Sequence, residues 1–270
     1  MLKRVGSFIS NRLRGGPLVS VVRLNGAIGA GGLRGGLTDA AIAPLMERAF
    51  APSKLSAVAL SINSPGGSPT QSALIASRIR RLADDKKVPV YAFCEDVAAS
   101  GGYWLATAGD EIYADANSIV GSIGVIFAGF GFHDMIARYG VERRVHTAGG
   151  SKSMLDPFQP EKDEDIVRIK RLQGVIHQNF IDQVKSRRAD KLADKDLFTG
   201  EVWVGEEARE VGLIDQIGHL VPTMKERFGD KVRFNVVTQK RPLMQRLGAP
   251  GLAEIAGAVE ERALFARYGL

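Results

Sequence analysis

Two short segments of this sequence follow one plan, and that plan limits the folds open to the chain. Each has an apolar, strand-like run, then a Gly-Gly pair among small residues, and then a helical pattern. The two segments are SINSPGGSPTQSALIAS at 61–77 and CEDVAASGGYWLATAG at 94–109. Strands that return after helices indicate α/β layering. If the two turns lie side by side, two helix N-termini face one cavity.

The rest of the sequence continues this alternation. Strand-like runs are predicted at 18–29, 57–64, 88–93, 111–127 and 141–148. Helices are predicted at 38–51, 68–84, 101–108, 134–139 and 163–188. With 270 residues, of which 45% are hydrophobic, the chain is long enough to bury one large core. Its single cysteine, Cys94, excludes an internal disulfide and is interpreted as a core residue.

The charge distribution excludes one class of partner and suggests another. The net charge of +6 equals the six basic residues that precede the first acidic residue, Asp39. Nucleic-acid binding through a basic face is therefore not expected. Residues 1–17 form a basic arm in which 2–14 have an apolar helical stripe, a pattern typical of peripheral contact with an anionic membrane. A solvated arm, or one docked on a neighbouring subunit, fits equally well. No apolar run is long enough for a transmembrane helix.

The two Gly-rich turns are suited to an anion or an oxyanion. Helix N-termini present unpaired N–H groups and a partial positive charge, and glycine allows a close backbone approach. Neither turn has the pattern of a phosphate-binding loop, and the glycines at 29–36 lack the spacing of a dinucleotide fingerprint and are interpreted as a mobile loop. Residues 163–165 are acidic, and we interpret them as the first turn of a helix rather than as metal ligands.

Ser100 lies at the start of the second helix, where two interpretations compete. Its hydroxyl either caps the helix or serves as a nucleophile beside the oxyanion donors. A nucleophile needs a base, and the four histidines (His133, His146, His177 and His219) stand in no pattern that suggests a triad. His177 and His219 are interpreted as surface residues. Lys152 is the other candidate, provided that burial lowers its pKa.

Five segments resemble the signal peptide peptidase A family of serine peptidases. They are INSPGG (62–67), ASGGYW (99–104), GSIGVI (121–126), KSMLDPF (152–158) and GEVWVGEEAREVGLID (200–215). The resemblance runs from about residue 18 to residue 220. It implies the Clp protease/crotonase-like fold, a spiral of repeated ββα units. It also implies a peptidase domain at 18–228 and, beyond it, a C-terminal extension at 229–270.

The resemblance assigns roles to particular residues. It implies that Ser100 is the nucleophile and Lys152 the general base, with no metal or cofactor. Gly67 and Gly101 would form the oxyanion hole, and Ser122 would orient the lysine. The substrate would be a peptide, such as a cleaved signal peptide, or an unfolded polypeptide.

The same resemblance extends to assembly, whereas the expected location follows from the lack of an apolar run long enough to cross a membrane. Short members of the family imply a cyclic homo-oligomer in which Ser100 of one protomer meets Lys152 of the next. The expected location is cytoplasmic or peripheral to a membrane. Two alternatives remain open: a crotonase-like acyl-thioester enzyme, for which Glu95 and Asp96 are the nearest acids, and a non-catalytic scaffold with the same fold.

Overall fold

The computed structural model describes residues 15–29, 36–238, 259 and 262–270. Its centre is a sheet with the strand order β6-β5-β3-β2-β1-β8, in which β4 pairs with β3 and with β7. Every pair is parallel except β5 with β6. The strands are β1 (Leu18–Asn25), β2 (Leu55–Ser64), β3 (Val90–Ala99), β4 (Glu111–Ala114), β5 (Ile119–Gly121), β6 (Val202–Val204), β7 (Gln216–Ile217) and β8 (Arg233–Val237).

Seven α-helices lie between residues 36 and 238. They are α1 (Asp39–Phe50), α2 (Pro69–Lys86), α3 (Gly101–Ala106), α4 (His133–Arg138), α5 (Asp163–Arg188), α6 (Gly205–Glu210) and α7 (Leu220–Phe228), and a 3₁₀ turn (Ala189–Lys191) follows α5. Side-chain caps fix two of the starts. Thr38 accepts a hydrogen bond from the amide of Ala41, and Ser68 accepts one from the amide of Gln71.

The sheet is covered on both faces, and so most residues of its central strands are buried. In β1, Val19 and Val21 belong to one apolar cluster while Val22 and Leu24 belong to the other. This division follows from the two-residue period of a strand. Burial on both faces explains why the central strands read as continuous apolar runs rather than as alternating ones. The predicted α/β class is confirmed.

One predicted strand is divided into two shorter ones, and another is wrong. The run at 111–127 is divided by a turn in which the amide of Asn117 donates to the Asp115 carboxylate, and within the described range no strand continues past Gly121. The run at 141–148 is not a strand. Its residues are mostly exposed.

Some predictions fall on parts of the chain that are not described. Residues 1–14 of the predicted arm and residues 30–35 of the predicted glycine loop are among them. Strand β8 lies within the predicted extension at 229–270, and it pairs with β1. Cys94 is buried as expected, and burial raises the pKa of its thiol to about 12.

Candidate functional site

The two Gly-rich turns meet at one edge of the sheet. Strands β2 and β3 are parallel neighbours with Ser64 opposite Ala98, so the turns that follow them emerge together. Their backbones are in close contact, since a Cβ atom built on Gly66 would lie 2.8 Å from both the Gly101 nitrogen and the Ser100 Cβ. The prediction that the turns lie side by side is therefore confirmed.

Ser100 has a strained backbone. Its φ is 53° and its ψ is −122°, which is unusual for a residue with a side chain. Backbone hydrogen bonds hold it there: its amide donates to the Gly121 carbonyl at 2.8 Å, and its carbonyl accepts from the Trp104 amide at 3.0 Å. Its hydroxyl makes no capping hydrogen bond, so the interpretation of Ser100 as a helix cap is wrong. Strain of this kind is concentrated at functional sites.

Two backbone N–H groups lie beside the Ser100 turn. Ile28 holds the Gly67 turn from the other side, because its amide donates to the Gly66 carbonyl and its carbonyl accepts from the Ser68 amide, each at 2.8 Å. Among the described residues, the amides of Gly67 and Gly101 donate to no backbone carbonyl outside the regular helices and strands. Two donors are thus left near the nucleophile candidate, as stabilisation of an oxyanion requires.

Ser122 follows β5 directly. Its amide donates to the Glu201 carbonyl at 2.7 Å, and its φ is 51°. The residue before it, Gly121, accepts the hydrogen bond from the Ser100 amide. The chain that carries Ser122 is therefore tied to the backbone of Ser100.

Lys152 is not brought to the other candidates within one chain. Its side chain is exposed, and among the described residues no hydrogen bond joins it to Ser100 or Ser122. The burial expected for a lysine with a lowered pKa is absent from the single chain. The reason lies in its segment, 124–162, in which no residue is buried.

The loop around Lys152 nevertheless has defined local contacts. The Leu155 amide donates to the buried carboxylate of Asp165, and the Arg143 guanidinium donates to Asp156 at 2.9 Å. A hydrogen bond from the Phe158 amide, together with the one from Arg143, lowers the pKa of Asp156. The bond to Asp165 ties the loop to the start of α5, and the bonds to Asp156 hold the segment to itself.

The segment that carries Lys152 and the first half of α5 expose a large apolar surface. We call this surface the apolar flank. Its exposed residues are Ile126, Phe127, Phe130, Met135, Tyr139, Val141, Val167, Leu172 and Val175. Exposed apolar side chains that adjoin in a large patch are typical of an interaction surface, and this flank is a candidate for one.

The second half of α5 packs on the helix that follows Ser100. Phe180 stacks on Trp104 with 4.8 Å between ring centroids, and Gln183 donates to the Thr107 hydroxyl at 3.0 Å. His177, which the sequence predicted to be a surface residue, is partly buried, and its Nε2 lies 3.1 Å from the Ile123 carbonyl oxygen. That surface prediction is wrong, and no sequence signal pointed to the contact. His219 is exposed as predicted and pairs with Asp115 at 2.7 Å.

The acids of the crotonase-like alternative line a different space. Glu95 accepts a hydrogen bond from Ser61, and Asp96 accepts one from Asn63. Both carboxylates border a cavity of about 330 Å³ whose lining includes none of Ser100, Gly67 and Gly101. The structure therefore separates these acids from the paired turns.

Neither a membrane-spanning helix nor a metal site is found among the described residues. Within the described ranges, no helix is long and apolar enough to cross a membrane. Over the same residues, no group of three His, Cys, Asp or Glu side chains is arranged to hold a metal ion. The acidic residues at 163–165 form the first turn of α5, as predicted.

The family model described as Peptidase family S49 matches residues 82–228, more than half of the chain. The chain belongs to this family, and the resemblance to the signal peptide peptidase A group is confirmed. The chain thus belongs to a family of peptidases, and its described residues form a mixed sheet of α/β type.

Individual relatives differ in name and in coverage. The chain is 51% identical over 272 aligned residues to a Brucella melitensis protein named Na(+)/H(+) antiporter NhaA, covering 93% of this chain and 37% of that protein. It is 34% identical to a putative signal peptide peptidase SppA of Enterococcus faecium, covering 60% of this chain and 47% of the relative. The chain thus spans about half or less of the length of these relatives.

Solved structures of a membrane-bound stomatin-specific protease, 1510-N, also match. One such match has 15% identity and a TM-score of 0.47, and it covers 86% of this chain and 96% of the other.

Proposed function

We propose that this protein hydrolyses peptide bonds through an acyl-enzyme formed on Ser100, with Lys152 as the general base. The observation that carries the proposal is the backbone of Ser100, which is held at φ 53° without a capping bond beside the Gly66–Gly67 turn. This conformation leaves the hydroxyl unused by the fold, at the edge where two amides are available.

The chemical steps follow from these groups. The neutral amine of Lys152 takes the proton of the Ser100 hydroxyl as the oxygen attacks the substrate carbonyl carbon. The amides of Gly67 and Gly101 donate to the oxyanion, and each such donor contributes roughly 3 kcal/mol in enzymes of this kind. The lysine then gives its proton to the leaving amine, and water hydrolyses the acyl-enzyme with the lysine again as base.

Ser122 orients the amine of Lys152 in this proposal. Its support is the tie between Gly121 and Ser100, which places the Ser122 backbone one residue from the carbonyl that holds the nucleophile. A hydroxyl at that point can hydrogen-bond a lysine that approaches Ser100.

The lysine comes from a neighbouring protomer of a closed ring. Two observations support this assembly: Lys152 is exposed in the single chain, and its segment belongs to the apolar flank. Packing that flank against another copy would remove water from the amine, and loss of water favours its neutral form. A closed ring also leaves no unpaired interface.

The substrates proposed are unfolded polypeptides or released signal peptides. An extended chain suits a nucleophile at the edge of a sheet, whereas a folded domain would need to unfold to reach it. Residues 2–14 are proposed to bind anionic membranes, on the basis of their basic and apolar pattern. Salt-sensitive binding to anionic vesicles that is lost on deletion of residues 1–15 would support this role, and equal binding by the truncated protein would contradict it.

A labelling experiment tests the nucleophile. We expect a fluorophosphonate probe to modify Ser100, and we expect wild-type protein to cleave unstructured casein. Ser100→Ala removes both activities, while Ser186→Ala, at an exposed site on α5, keeps them. Casein cleavage by the Ser100→Ala protein at the wild-type rate would overturn the proposal.

A mixing experiment tests the shared dyad. Ser100→Ala and Lys152→Ala proteins, each inactive alone, are co-expressed and purified as mixed oligomers. Random mixing gives an intact serine next to an intact lysine in about a quarter of the interfaces, so about a quarter of wild-type activity is expected. Verified mixed oligomers without activity would place the dyad within one chain.

A further inference from the structure

Helix α5 contacts both parts of the candidate active site. Its Phe180 stacks on Trp104, four residues after Ser100. One turn earlier along the helix, His177 reaches the Ile123 carbonyl, one residue after Ser122. A single rigid element therefore touches the nucleophile's helix and the strand end that carries Ser122.

The chemistry of the contact between His177 and Ile123 determines which group donates the hydrogen bond. A carbonyl oxygen only accepts hydrogen bonds, so Nε2, at 3.1 Å, must carry the hydrogen and donate it. The imidazole offers this donor both as the neutral Nε2–H tautomer and as the imidazolium. The bond is partly buried, which limits competition from water.

The carbonyl that His177 holds belongs to a tight turn. The Gly124 amide donates to the Ser122 carbonyl at 2.9 Å, so that Ile123 is the central residue of a three-residue turn. Before the turn, Gly121 is held by Ser100, and the Ser122 amide is held by Glu201.

After Ser122, the backbone is held by a hydrogen bond from α5. In the part of the chain that is described, no backbone donor outside the regular helices and strands reaches the Ile123 carbonyl, and the His177 ring supplies its hydrogen bond. The Ile123 side chain is buried in the core, so removing this donor releases the carbonyl side of the turn while the side chain stays packed.

We propose that His177 is a positioning residue of the active site, which fixes the Ile123 carbonyl and through it the place of the Ser122 hydroxyl relative to Ser100. This inference rests on the proposed function, in which Ser122 orients the amine of Lys152. His177 touches neither substrate nor reacting atoms. Its loss displaces Ser122, so the surroundings of the amine change along with the rate.

Two substitutions by residues with amide side chains distinguish the effect of the hydrogen-bond donor from the effect of the imidazole ring. In His177→Gln, the side-chain NH₂ lies where Nε2 lies, and the donor is kept. In His177→Asn, the NH₂ is one bond shorter and does not reach the carbonyl. Both side chains are polar and uncharged. Gln178→Asn, at the exposed neighbouring site, controls for the effect of a shorter amide side chain on this helix.

The measurements are the pH dependence of kcat and of kcat/KM for peptide hydrolysis by the full-length oligomer, together with the thermal unfolding midpoint. We expect His177→Asn to lower kcat about tenfold, because one hydrogen bond corresponds to about a tenfold change in an equilibrium. We also expect its rising pH limb to move by about half a unit or more. His177→Gln and Gln178→Asn keep the wild-type limb and a kcat within about twofold of wild type.

Three results overturn the inference. A His177→Asn protein with a lowered unfolding midpoint but the wild-type pH limb and kcat would show a structural role only. A His177→Gln protein as impaired as His177→Asn would show that the Nε2 donor is not what matters. Wild-type protein without Ser100-dependent hydrolysis would overturn the proposed function and this inference together, and that result is recognised first, by comparison with Ser100→Ala.

Discussion

Replacing Gly66 by alanine tests whether contact between the two turns sets the geometry of the site. Gly66 has a φ of 99°, and an added Cβ would lie 2.8 Å from the Gly101 nitrogen, 2.8 Å from the Ser100 Cβ and 2.9 Å from the Ala99 carbonyl oxygen. Two of these atoms belong to the backbone, so no side-chain rotation relieves the contact. The Gly66 turn and the Ser100 turn have to separate.

The size of the effect follows from these distances. Ordinary contact begins near 3.4 Å, so the turns open by about 0.6 Å. The unfavourable φ costs about 1–3 kcal/mol, and overpacking adds about 1–3 kcal/mol. A misplacement of about 1 Å at a catalytic group lowers the rate about a hundredfold, so we expect kcat/KM to fall by about ten- to a hundredfold.

The assay pairs urea unfolding with peptide hydrolysis and with the rate of fluorophosphonate labelling. Gly229→Ala is the matched control, since Gly229 has a φ of 83° but nothing within 4 Å of the added Cβ. It carries backbone strain without the contact. We expect Gly229→Ala to lose stability and keep its kcat/KM, and Gly66→Ala to lose both.

Equal loss of stability in the two variants, with wild-type labelling of Ser100 in Gly66→Ala, would refute this reasoning. It would mean that the Ser100 turn keeps its geometry when the Gly66 turn moves away.

Three further outcomes are expected. Lys152→Arg is as inactive as Lys152→Ala, because a guanidinium keeps its proton; measurable turnover by the arginine variant would give Lys152 another role. Phe180→Ala removes the ring stacked on Trp104 and lowers the free energy of unfolding in urea by about 3–5 kcal/mol; a loss below about 1 kcal/mol would contradict the packing. Burial raises the pKa of Asp215, but hydrogen bonds from Arg188 and Lys191 outweigh it, so the pKa lies below its usual value. The ionised carboxylate thus stabilises the fold above about pH 4, and this contribution is lost as pH falls through the native pKa. The difference in unfolding midpoint between wild type and Asp215→Asn narrows from pH 6 to pH 2, and a constant difference would contradict the pairing.

The sequence predicted the turns well because their geometry is local. An apolar run, a Gly-Gly pair and a helical pattern describe consecutive residues, and parallel pairing then brings the turns after β2 and β3 to one edge. The boundaries of α5 were likewise predictable, because its acidic first turn and basic last turn both occur in sequence.

The contact between His177 and Ile123 was beyond such reasoning. It joins residues 54 positions apart, and its donor and acceptor carry no pattern in the sequence. The division of the run at 111–127 was missed for a different reason. Asp115 bonds its own backbone two residues on, and this local bond outcompetes the continued strand that the apolar alternation favours.

The two halves of α5 differ in what keeps them ordered. From Phe180 to Arg188 the helix is fastened by side chains of its own molecule, so that stretch stays folded however dilute the protein becomes. The stretch with Val167, Leu172 and Val175 exposes these side chains, so in the proposed ring its order would gain from packing against another copy and would vary with protein concentration. Amide hydrogen exchange along this one helix is therefore expected to depend on protein concentration at its amino end and on chain folding at its carboxyl end.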